Sequence, residues 1–279
     1  MNQVCLNGRY FPAGDPILRA DNRGYRYGDG LFETIRVHQG RFPLGDLHFE
    51  RLFSGLGLLQ IKLPVLVTTA RLKEEILRLC RHNHCESSAR VRLSVFRGHG
   101  GLYDGNPEAG YLIEAWPLEP AIPEWNENGL LIGIYPDARK SQDPFSHLKS
   151  ASAQAYVMAA LFSRQHHLND CLLLNHNGDI ADSTIANLFL VRNGSLVTPA
   201  LTEGCVAGVM RRHLLDNCRQ SGMDVQETRV SPAMLLEADE VFLSNAIKGI
   251  RWVKEAEGKT YGNRLTAEIY NRFVRTLFH

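Results

Sequence analysis

Apolar residues recur at helical spacing in four separate segments of the chain. They stand three or four positions apart, which is the spacing of one face of an α-helix. The sets are Leu47, Leu52, Leu56 and Leu59; Leu72, Ile76 and Leu79; Ala153, Val157, Ala160 and Leu161; and Val206, Val209, Met210 and Leu214. The pattern predicts four amphipathic helices, the first of which turns Leu47, Leu52 and Leu56 inward.

One run alternates apolar and polar residues, as a strand with a single buried face does. In "ARVRLSVFRGHGG" the two faces are Val91, Leu93 and Val95, and Arg90, Arg92 and Ser94. Arg97 continues the apolar face and is followed by glycines and His99. An arginine in this place either binds an anion where the strand leaves the core or forms a structural ion pair, and the sequence leaves both open.

Turn residues separate several predicted strand pairs. "VCLNGRYF" and "LFLVRNGSLVTP" carry Asn-Gly between apolar runs, "IRVHQGRFPL" carries a glycine loop, and "CLLLNHNGDIAD" carries a slightly longer one. Each pattern predicts an antiparallel hairpin. Because helices and strands alternate irregularly, their order predicts an α+β fold and not a repeating βαβ unit.

A proline-rich stretch, "AWPLEPAIPEWNENG", interrupts this pattern before the middle of the chain. Its prolines are typical of a linker between domains. The chain has 279 residues, which is long enough for two apolar cores. We therefore predict a boundary near Pro120, with one domain over residues 1–119 and a second over residues 120–279.

Composition and charge place the chain among ordinary globular proteins. Hydrophobic residues make up 44% and charged residues 22%, and 31 Lys and Arg nearly balance 30 Asp and Glu. No charge run indicates a nucleic-acid or membrane surface, and no long apolar stretch indicates a membrane helix. The first residues lack the basic and apolar regions of a signal peptide. We expect a soluble cytoplasmic protein that binds neither nucleic acid nor membranes.

The six cysteines have no paired spacing and predict reduced, buried thiols. The cluster "CRHNHC" contains Cys80, His82, His84 and Cys85. It matches no structural zinc spacing and closes a helical pattern. We expect a frayed helix end there and no metal site.

The glycine-rich segment "GYRYGDGLFETIR" does not match a nucleotide-binding loop. Gly28 and Gly30 form G-x-G, but Glu33 stands where the dinucleotide fingerprint needs a third glycine. The chain also lacks the motif G-x-x-x-x-G-K-[ST]. The segment instead predicts a turn before a strand from Leu31 to Val37.

Four other positions have both an ordinary and a functional interpretation. Lys149 heads the segment "SHLKSASAQAYVMAALF", Arg51 lies on the outer face of a predicted helix, Asp182 stands beside a turn, and a helix start follows Gly208. Singly, these are a surface lysine, an exposed arginine, a turn carboxylate and a solvated helix end. Together they are the groups that pyridoxal 5′-phosphate requires: an amine for its aldehyde, donors for its phosphate and an acid for its ring nitrogen.

The chain resembles the class IV aminotransferase family of pyridoxal-phosphate enzymes, which includes branched-chain aminotransferases, D-amino-acid aminotransferases and aminodeoxychorismate lyases. The resemblance covers nearly the whole chain through motifs in the family's order: "YGDGLFETIR", "HFERL", "LKSASA", "GDIADSTIANLF" and "GVMRR". It implies a two-domain enzyme of fold type IV, with a smaller α/β amino-terminal domain and a larger carboxy-terminal domain that contains a barrel-like sheet. It also implies pyridoxal phosphate as the cofactor and a homodimer as the assembly.

The resemblance assigns roles to single residues. Lys149 is similar to the family's Schiff-base lysine, and Arg51 is similar to its phosphate-binding arginine. Asp182 stands where the family usually has a glutamate that pairs with the pyridine nitrogen; either carboxylate stabilises a protonated ring, but the shorter arm changes the contact. Either Gln154 or Tyr156 replaces a tyrosine or asparagine that often follows the lysine. The remaining positions assigned to the cofactor are Gly208, Val209, Met210, Asn245 and Ala246.

Within the family, "FRGHGGLY", "AGVMRR" and "SNAI" are more similar to the lyases. So is Thr34 of "FETIR", whose hydroxyl is expected to assist proton transfer. Against this, Leu102 replaces an arginine that some lyases carry for a substrate carboxylate. Arg97 with His99 resembles the carboxylate-binding pair of D-amino-acid aminotransferases, whereas Phe32 replaces a tyrosine of those enzymes. These last three residues are the expected substrate contacts.

The resemblance therefore predicts a lyase that converts 4-amino-4-deoxychorismate into 4-aminobenzoate and pyruvate, a step of folate biosynthesis. Lys149 and Thr34 are its expected catalytic residues. The alternative reaction is that of a branched-chain or D-amino-acid aminotransferase. A further alternative is not an enzyme but a protein that binds pyridoxal phosphate without turnover.

Overall fold

The computed structural model of the chain describes residues 2–104, 109–119 and 121–278, which divide into two units. The first contains the residues up to Ile122 together with Lys149–Ser152. The second contains Pro123–Leu148 and the residues from Ala153 onward. The predicted boundary residue, Pro120, lies outside the described ranges. The short segment that carries Lys149 thus packs with the amino-terminal unit, although the chain on both sides of it belongs to the second unit.

An antiparallel sheet forms the framework of the first unit. Its strands are β1 (Gln3–Leu6), β2 (Arg9–Pro12), β3 (Gly30–His38), β4 (Ser88–Arg97) and β5 (Ala109–Pro117). Their order in space is β2-β1-β5-β4-β3, so β3 lies at one end of the sheet. The predicted Asn-Gly hairpin between β1 and β2 is confirmed. Asn7 and Gly8 have φ values of 51° and 82°, which a type I′ turn requires.

The helices described in this unit are α1 (Arg23–Tyr27), α2 (Gly45–Leu58) and α3 (Thr69–His82). The last two confirm the first two helical patterns. Helix α2 contacts β3, and α3 contacts β5. The buried leucines and isoleucine of the two patterns are Leu52, Leu56, Leu72, Ile76 and Leu79. Leu47, also predicted to face inward, is partly buried.

The hairpin predicted in "IRVHQGRFPL" is confirmed only at its turn, where His38 and Arg41 exchange backbone hydrogen bonds at 3.0 and 2.9 Å. β3 ends at His38, and within the described chain the residues after the turn make one bridge to it, at Arg41, before α2 begins. Pro43 has no N–H with which to continue a ladder, and Leu44 has a left-handed φ of 57°. The apolar residues of this segment instead lead the chain into α2.

A mixed sheet forms the framework of the second unit. Its strands are β6 (Leu130–Lys140), β7 (Asp170–Asn175), β8 (Ile180–Ser183), β9 (Asn187–Arg192), β10 (Ser195–Pro199), β11 (Val225–Thr228), β12 (Glu240–Asn245), β13 (Gly249–Ala256) and β14 (Lys259–Thr260). Their order is β11-β10-β9-β12-β13-β6-β7-β8, with β14 paired to β13. The other two predicted hairpins are confirmed as β7–β8 and β9–β10. Asn193 and Gly194 join the second of these with φ values of 49° and 80°.

The α-helices described in the second unit are α4 (Gln154–Gln165), α5 (Val209–Gln220), α6 (Pro232–Glu237) and α7 (Arg264–Ile269). Helices α4 and α5 confirm the other two helical patterns, and α5 begins directly after Gly208, as predicted. The apolar pattern of α4, however, does not mark its buried face. Val157 and Leu161 are 51% and 48% exposed, whereas Ala159 and Ser163 are buried.

None of the helices in the described ranges has the length and apolarity of a membrane-spanning segment. The same residues contain no group of three or more His, Cys, Asp or Glu side chains placed to hold a metal ion. All six cysteines are free and buried, which confirms the predicted thiols. Burial raises the pKa of Cys80 and Cys85.

Candidate active site

The segment around Lys149 pairs with the free edge of β3. The N–H of Phe32 donates to the carbonyl of Lys149 at 3.0 Å, and the N–H of Ala151 donates to the carbonyl of Gly30 at 3.0 Å. The segment therefore extends the sheet at an edge that would otherwise leave backbone groups unpaired. This pairing fixes the backbone of Lys149 beside β3, and its side chain is partly buried.

Two glycines before and within β3 meet backbone requirements at this edge. Gly28 has a left-handed φ of 63°, and a Cβ added there would lie 3.4 Å from the backbone of Ser152. A Cβ added to Gly30 would lie 2.4 Å from the carbonyl oxygen of Val95 on β4. Gly28 of "YGDG" is thus explained by its left-handed φ and Gly30 by its close approach to β4, and neither requires a nucleotide-binding loop.

The ring of Phe32 contacts two cations of the first unit. Its centroid lies 4.5 Å from Nζ of Lys149 and 3.8 Å from Cζ of Arg92. Contacts of this kind are electrostatically favourable and orient both side chains. Thr34 follows Phe32 on the same face of β3 and is paired with Arg92 in the ladder. This face of β3 and β4, beside Lys149, therefore presents an aromatic ring, a hydroxyl and a guanidinium.

Arg92 is a residue of this face that the sequence analysis did not single out. The alternation along β4 places it on the polar face together with Arg90 and Ser94. Burial lowers the pKa of Arg92, and the negative charge of Glu114 on β5 opposes that shift. Nε of Arg92 donates to the hydroxyl of Ser94 at 3.1 Å. A partly buried guanidinium beside the candidate amine is well placed chemically to bind a carboxylate.

Arg51 of α2 is held by a buried carboxylate of β3. Its Nε and Nη2 donate to Oε1 and Oε2 of Glu33 at 2.8 and 2.6 Å. Nδ1 of His48, one turn earlier on α2, lies 2.7 Å from Oε2 of the same carboxylate. Glu33 is 1% and His48 0% exposed. The three side chains form a buried network in which the carboxylate receives the paired donors of the guanidinium.

Burial and the neighbouring charges determine the protonation states of Glu33 and His48. Burial alone would raise the pKa of Glu33, but the charge of Arg51 and the hydrogen bonds from His48 and Arg51 lower it to about 2. Burial lowers the pKa of His48 in spite of the neighbouring carboxylate. At neutral pH, Glu33 is therefore ionised and His48 is neutral, with its Nδ1 hydrogen donated to Glu33. Among the described residues Nε2 of His48 has no hydrogen-bond partner, which fits an unprotonated ring nitrogen.

In the second unit, Asp182 of β8 is the centre of another buried network. Its Oδ1 and Oδ2 accept hydrogen bonds from Nζ of Lys140 at 3.1 and 2.9 Å. Oδ2 also accepts from the hydroxyl of Tyr156 at 3.0 Å and from the N–H of Val206 at 2.9 Å. Asp182 is 2% and Lys140 9% exposed, so this carboxylate is buried and its charge is balanced. Burial and the charge of Asp182 raise the pKa of Tyr156 well above its usual range, so the hydroxyl stays protonated.

The amino end of α5 follows the loop that contacts Asp182. The N-cap residue, Gly208, has no side chain with which to cap the first N–H groups. Val209 and Met210 lie in this first turn, where amides have no partner within the helix. A Cβ added to Gly208 would lie 1.9 Å from Oδ1 of Asn187, which explains the glycine. A helix start of this kind favours an anion such as phosphate.

Arg97 and His99 make other contacts. Nε of Arg97 donates to Asp29 at 2.8 Å, and its two Nη atoms donate to the carbonyls of Leu59 and Gln60 at 2.8 and 3.2 Å. The guanidinium thus forms the structural ion pair that was one of its two interpretations. The side chain of His99 is 51% exposed.

Asn245 closes the turn after β12. Its Oδ1 accepts from the N–H groups of Ile247 and Lys248 at 3.0 and 2.8 Å. Ala246 lies partly buried in the same turn. Asn245 and Lys248 also line a cavity of about 140 Å³ within the second unit. Asn245 therefore has a defined structural role in the turn.

Considered unit by unit, the donor groups are of the kinds that pyridoxal phosphate needs. The first unit contributes the amine of Lys149 and the anchored guanidinium of Arg51. The second contributes the buried carboxylate of Asp182 and the uncapped start of α5. The family motifs gave no role in the site to three further charged residues, namely Lys140, Glu33 and Arg92.

Comparison with known proteins agrees with this chemistry. The family described as amino-transferase class IV matches residues 30–256. The chain is 28% identical to the aminodeoxychorismate lyase of Bacillus subtilis over 290 residues, covering 99% of this chain and 96% of that protein. It is 24% identical to the D-alanine aminotransferase of Listeria innocua over 298 residues, again covering 99% and 96%.

The fold is that of a solved structure, the branched-chain aminotransferase of Thermoproteus uzoniensis with norvaline. The TM-score is 0.87 at 22% identity, with 99% of this chain and 94% of that chain covered. This likeness confirms the predicted fold type IV, but it carries no information on the reaction. The similar proteins include a lyase and two kinds of aminotransferase. Because the family match extends over most of its length, the chain belongs to the class IV aminotransferases, a family of pyridoxal-phosphate-dependent enzymes.

Proposed function

We propose that the protein is a 4-amino-4-deoxychorismate lyase that releases 4-aminobenzoate and pyruvate. The observation that carries the proposal is the face of β3 and β4 beside Lys149, where Phe32, Thr34 and Arg92 lie together. The hydroxyl serves proton transfer and the guanidinium serves a carboxylate of the substrate. The similarity to the lyase of Bacillus subtilis supports the same reaction.

The donor groups of this chain match the groups of pyridoxal phosphate. Lys149 would bind its aldehyde carbon, and Asp182 would bind its ring nitrogen. Arg51 and the amides of Val209 and Met210 would bind its phosphate. When bound, the cofactor supplies an electron sink for the carbon that carries the substrate amine.

Proton transfer is the task of Lys149 and Thr34. The amine of Lys149 removes the proton from the amine-bearing ring carbon of the substrate. The bond between the neighbouring ring carbon and the enolpyruvyl oxygen breaks, its electron pair leaves with the oxygen, and the ring becomes aromatic. Thr34 or Lys149 delivers a proton to the terminal carbon of the enolpyruvyl group, which gives pyruvate.

Arg92 is the better candidate for the substrate carboxylate. Its guanidinium and the amine of Lys149 contact the same ring, that of Phe32. Arg97, which the resemblance offers together with His99, already donates to a carboxylate and two carbonyls. A substrate carboxylate at Arg97 would have to compete with those contacts.

Two alternatives use the same contacts to the cofactor. An aminotransferase would release a 2-oxo acid, and the similarity to a D-alanine aminotransferase supports it. A protein that binds the cofactor without turnover is the other; the aspartate at position 182 and its pairing with Lys140 favour it. The homodimer and the cytoplasmic location stay predictions.

Reduction with borohydride is expected to attach the cofactor to Lys149. In the reduced holoprotein, mass spectrometry of proteolytic peptides should find the added mass on Lys149. It should not find it on Lys140, the lysine that is paired with Asp182. Lys149→Ala should lose the modification, and Lys140→Arg should keep it. A label on another residue, or on none, contradicts the assignment of Lys149.

A substrate panel decides between the three functions. We expect the purified protein to form 4-aminobenzoate and equimolar pyruvate from 4-amino-4-deoxychorismate. It should form little 2-oxo acid from branched-chain or D-amino acids with 2-oxoglutarate. Formation of 2-oxo acids without 4-aminobenzoate identifies an aminotransferase. A bound cofactor whose absorption no amino substrate changes identifies a binding protein.

Arg92→Gln is expected to raise the KM for 4-amino-4-deoxychorismate about tenfold or more, because a charge-assisted hydrogen bond to a carboxylate contributes at least ~1.5 kcal/mol. Cofactor affinity, measured by absorbance titration, should stay unchanged. The matched control is Arg90→Gln, because Arg90 lies on the same face of β4 but contacts Trp116. Equal effects of the two substitutions on KM would refute a specific role for Arg92.

Glu33→Gln is expected to reduce the pH dependence of stability. The folded pKa of about 2 lies below the usual 4.5. Glu33 therefore stabilises the fold above about pH 4.5, by about 3 kcal/mol, and this contribution disappears as the pH falls towards 2. Urea denaturation of the cofactor-free protein should show a steeper acid loss for the wild type than for Glu33→Gln. Glu74→Gln, at an exposed carboxylate of α3, should keep the wild-type profile.

A further inference from the structure

We infer that Lys140 is a positioning residue for the cofactor: its ammonium balances the charge of Asp182 and, with Tyr156, leaves Oδ1 as the oxygen that binds the ring nitrogen. The inference rests on the proposed cofactor site. It adds a second lysine to that site, with a task different from that of Lys149.

The sheet brings Lys140 and Asp182 together across one strand. Lys140 is the last residue of β6 and is paired with Asn175 of β7. Asp182 is paired with Leu173 on the other side of β7. The side chain of Lys140 therefore extends over β7 and reaches the carboxylate at 2.9 Å. Because both residues are paired with β7, the separation of the two charges is set by the sheet, although the register shifts next to each of them.

The two carboxylate oxygens have unequal surroundings. Oδ2 accepts from three donors, namely Lys140, Tyr156 and the N–H of Val206. In the described part of the chain, Oδ1 accepts only from Lys140, at 3.1 Å. A carboxylate oxygen has about two lone-pair sites. Oδ2 is therefore saturated, and Oδ1 retains capacity for one more donor.

Tyr156 completes the arrangement. Nζ of Lys140 donates to its hydroxyl oxygen, and that hydroxyl donates to Oδ2 of Asp182. Lysine, tyrosine and aspartate thus form a closed triangle of hydrogen bonds. This geometry restrains the short aspartate side chain, whose single methylene leaves it little freedom once Oδ2 is fixed.

The charge of Lys140 also has an electrostatic consequence. A cation beside Asp182 reduces the net negative field that the bound cofactor experiences. Less negative field makes the cofactor nitrogens harder to protonate. The pH at which the visible absorption of the bound cofactor titrates therefore reports the charge at position 140, independently of turnover.

The first test compares Lys140→Met with Lys140→Arg in the holoprotein. Lys140→Met should move the midpoint of the visible pH titration upward by about one pH unit or more, because a cation is lost near the cofactor. Lys140→Arg keeps the charge and should stay close to the wild type. Tyr156→Phe leaves the lysine in place and should shift the midpoint by less than half of the shift in Lys140→Met. Lys140→Gln replaces Lys140→Met if that variant does not fold.

Two results would overturn the inference. One is an unchanged midpoint in the uncharged variant, which would leave Lys140 with a merely structural role. The other is an equal shift in Lys140→Met and Lys140→Arg, which would show that the charge is not the cause.

The second test uses the cofactor-free protein and separates this inference from the proposed function. Lys140→Met alone leaves a buried carboxylate without its cation and should lower Tm by about 6 °C or more. The double variant Lys140→Met/Asp182→Asn removes both charges and should recover at least half of that loss. Additive losses contradict the pairing. A wild-type protein that binds no pyridoxal phosphate contradicts the proposed function but leaves this second test intact.

Discussion

The backbone pairing between the Lys149 segment and β3 is the constraint on which the rest of the site depends. β3 ends its sheet, and its outer edge needs hydrogen-bond partners. The chain supplies them with the segment Lys149–Ser152, which belongs to the first unit although the residues on both sides of it belong to the second. Because side chains alternate along a paired strand, a slip of one residue would turn Lys149 away from Phe32.

Each buried carboxylate of the site is matched by a cation, and the two pairs do different things. Glu33 engages Arg51 through two parallel hydrogen bonds, which orient a guanidinium that has five N–H donors in all. Lys140 engages Asp182 with a compact ammonium, which neutralises charge and leaves one oxygen accessible to a further donor. The first pair presents a cation, and the second presents a carboxylate. A phosphate needs the first kind of group, and a protonated ring nitrogen needs the second.

Local chemistry made much of the fold predictable, and long-range contacts account for what was missed. Asn7-Gly8 and Asn193-Gly194 specify their turns by left-handed φ values alone. The buried face of α4 depends on which strands it packs against. The apolar spacing therefore assigned Val157 and Leu161 to the buried face, although both are exposed. Lys140 and Asp182 are 42 residues apart, and no local motif joins them. Glu33, by contrast, was recognisable in principle, since it lies on the same face of β3 as buried Leu31 and Ile35, and a buried carboxylate needs a cation.

The choice between lyase and aminotransferase depends on the face of β3 and β4 and not on the cofactor contacts. Both reactions begin when Lys149 removes a proton from the amine-bearing carbon, so Arg51, Asp182 and the start of α5 serve them equally. Only the lyase must also hold the departing group while a neighbouring carbon–oxygen bond breaks. The side chains able to do so are those that share the surroundings of Lys149: the guanidinium of Arg92 and the hydroxyl of Thr34. Under the proposed function, specificity is determined on β3 and β4, whose alternation is visible in the sequence. Their neighbour Lys149 comes from a distant segment of the chain.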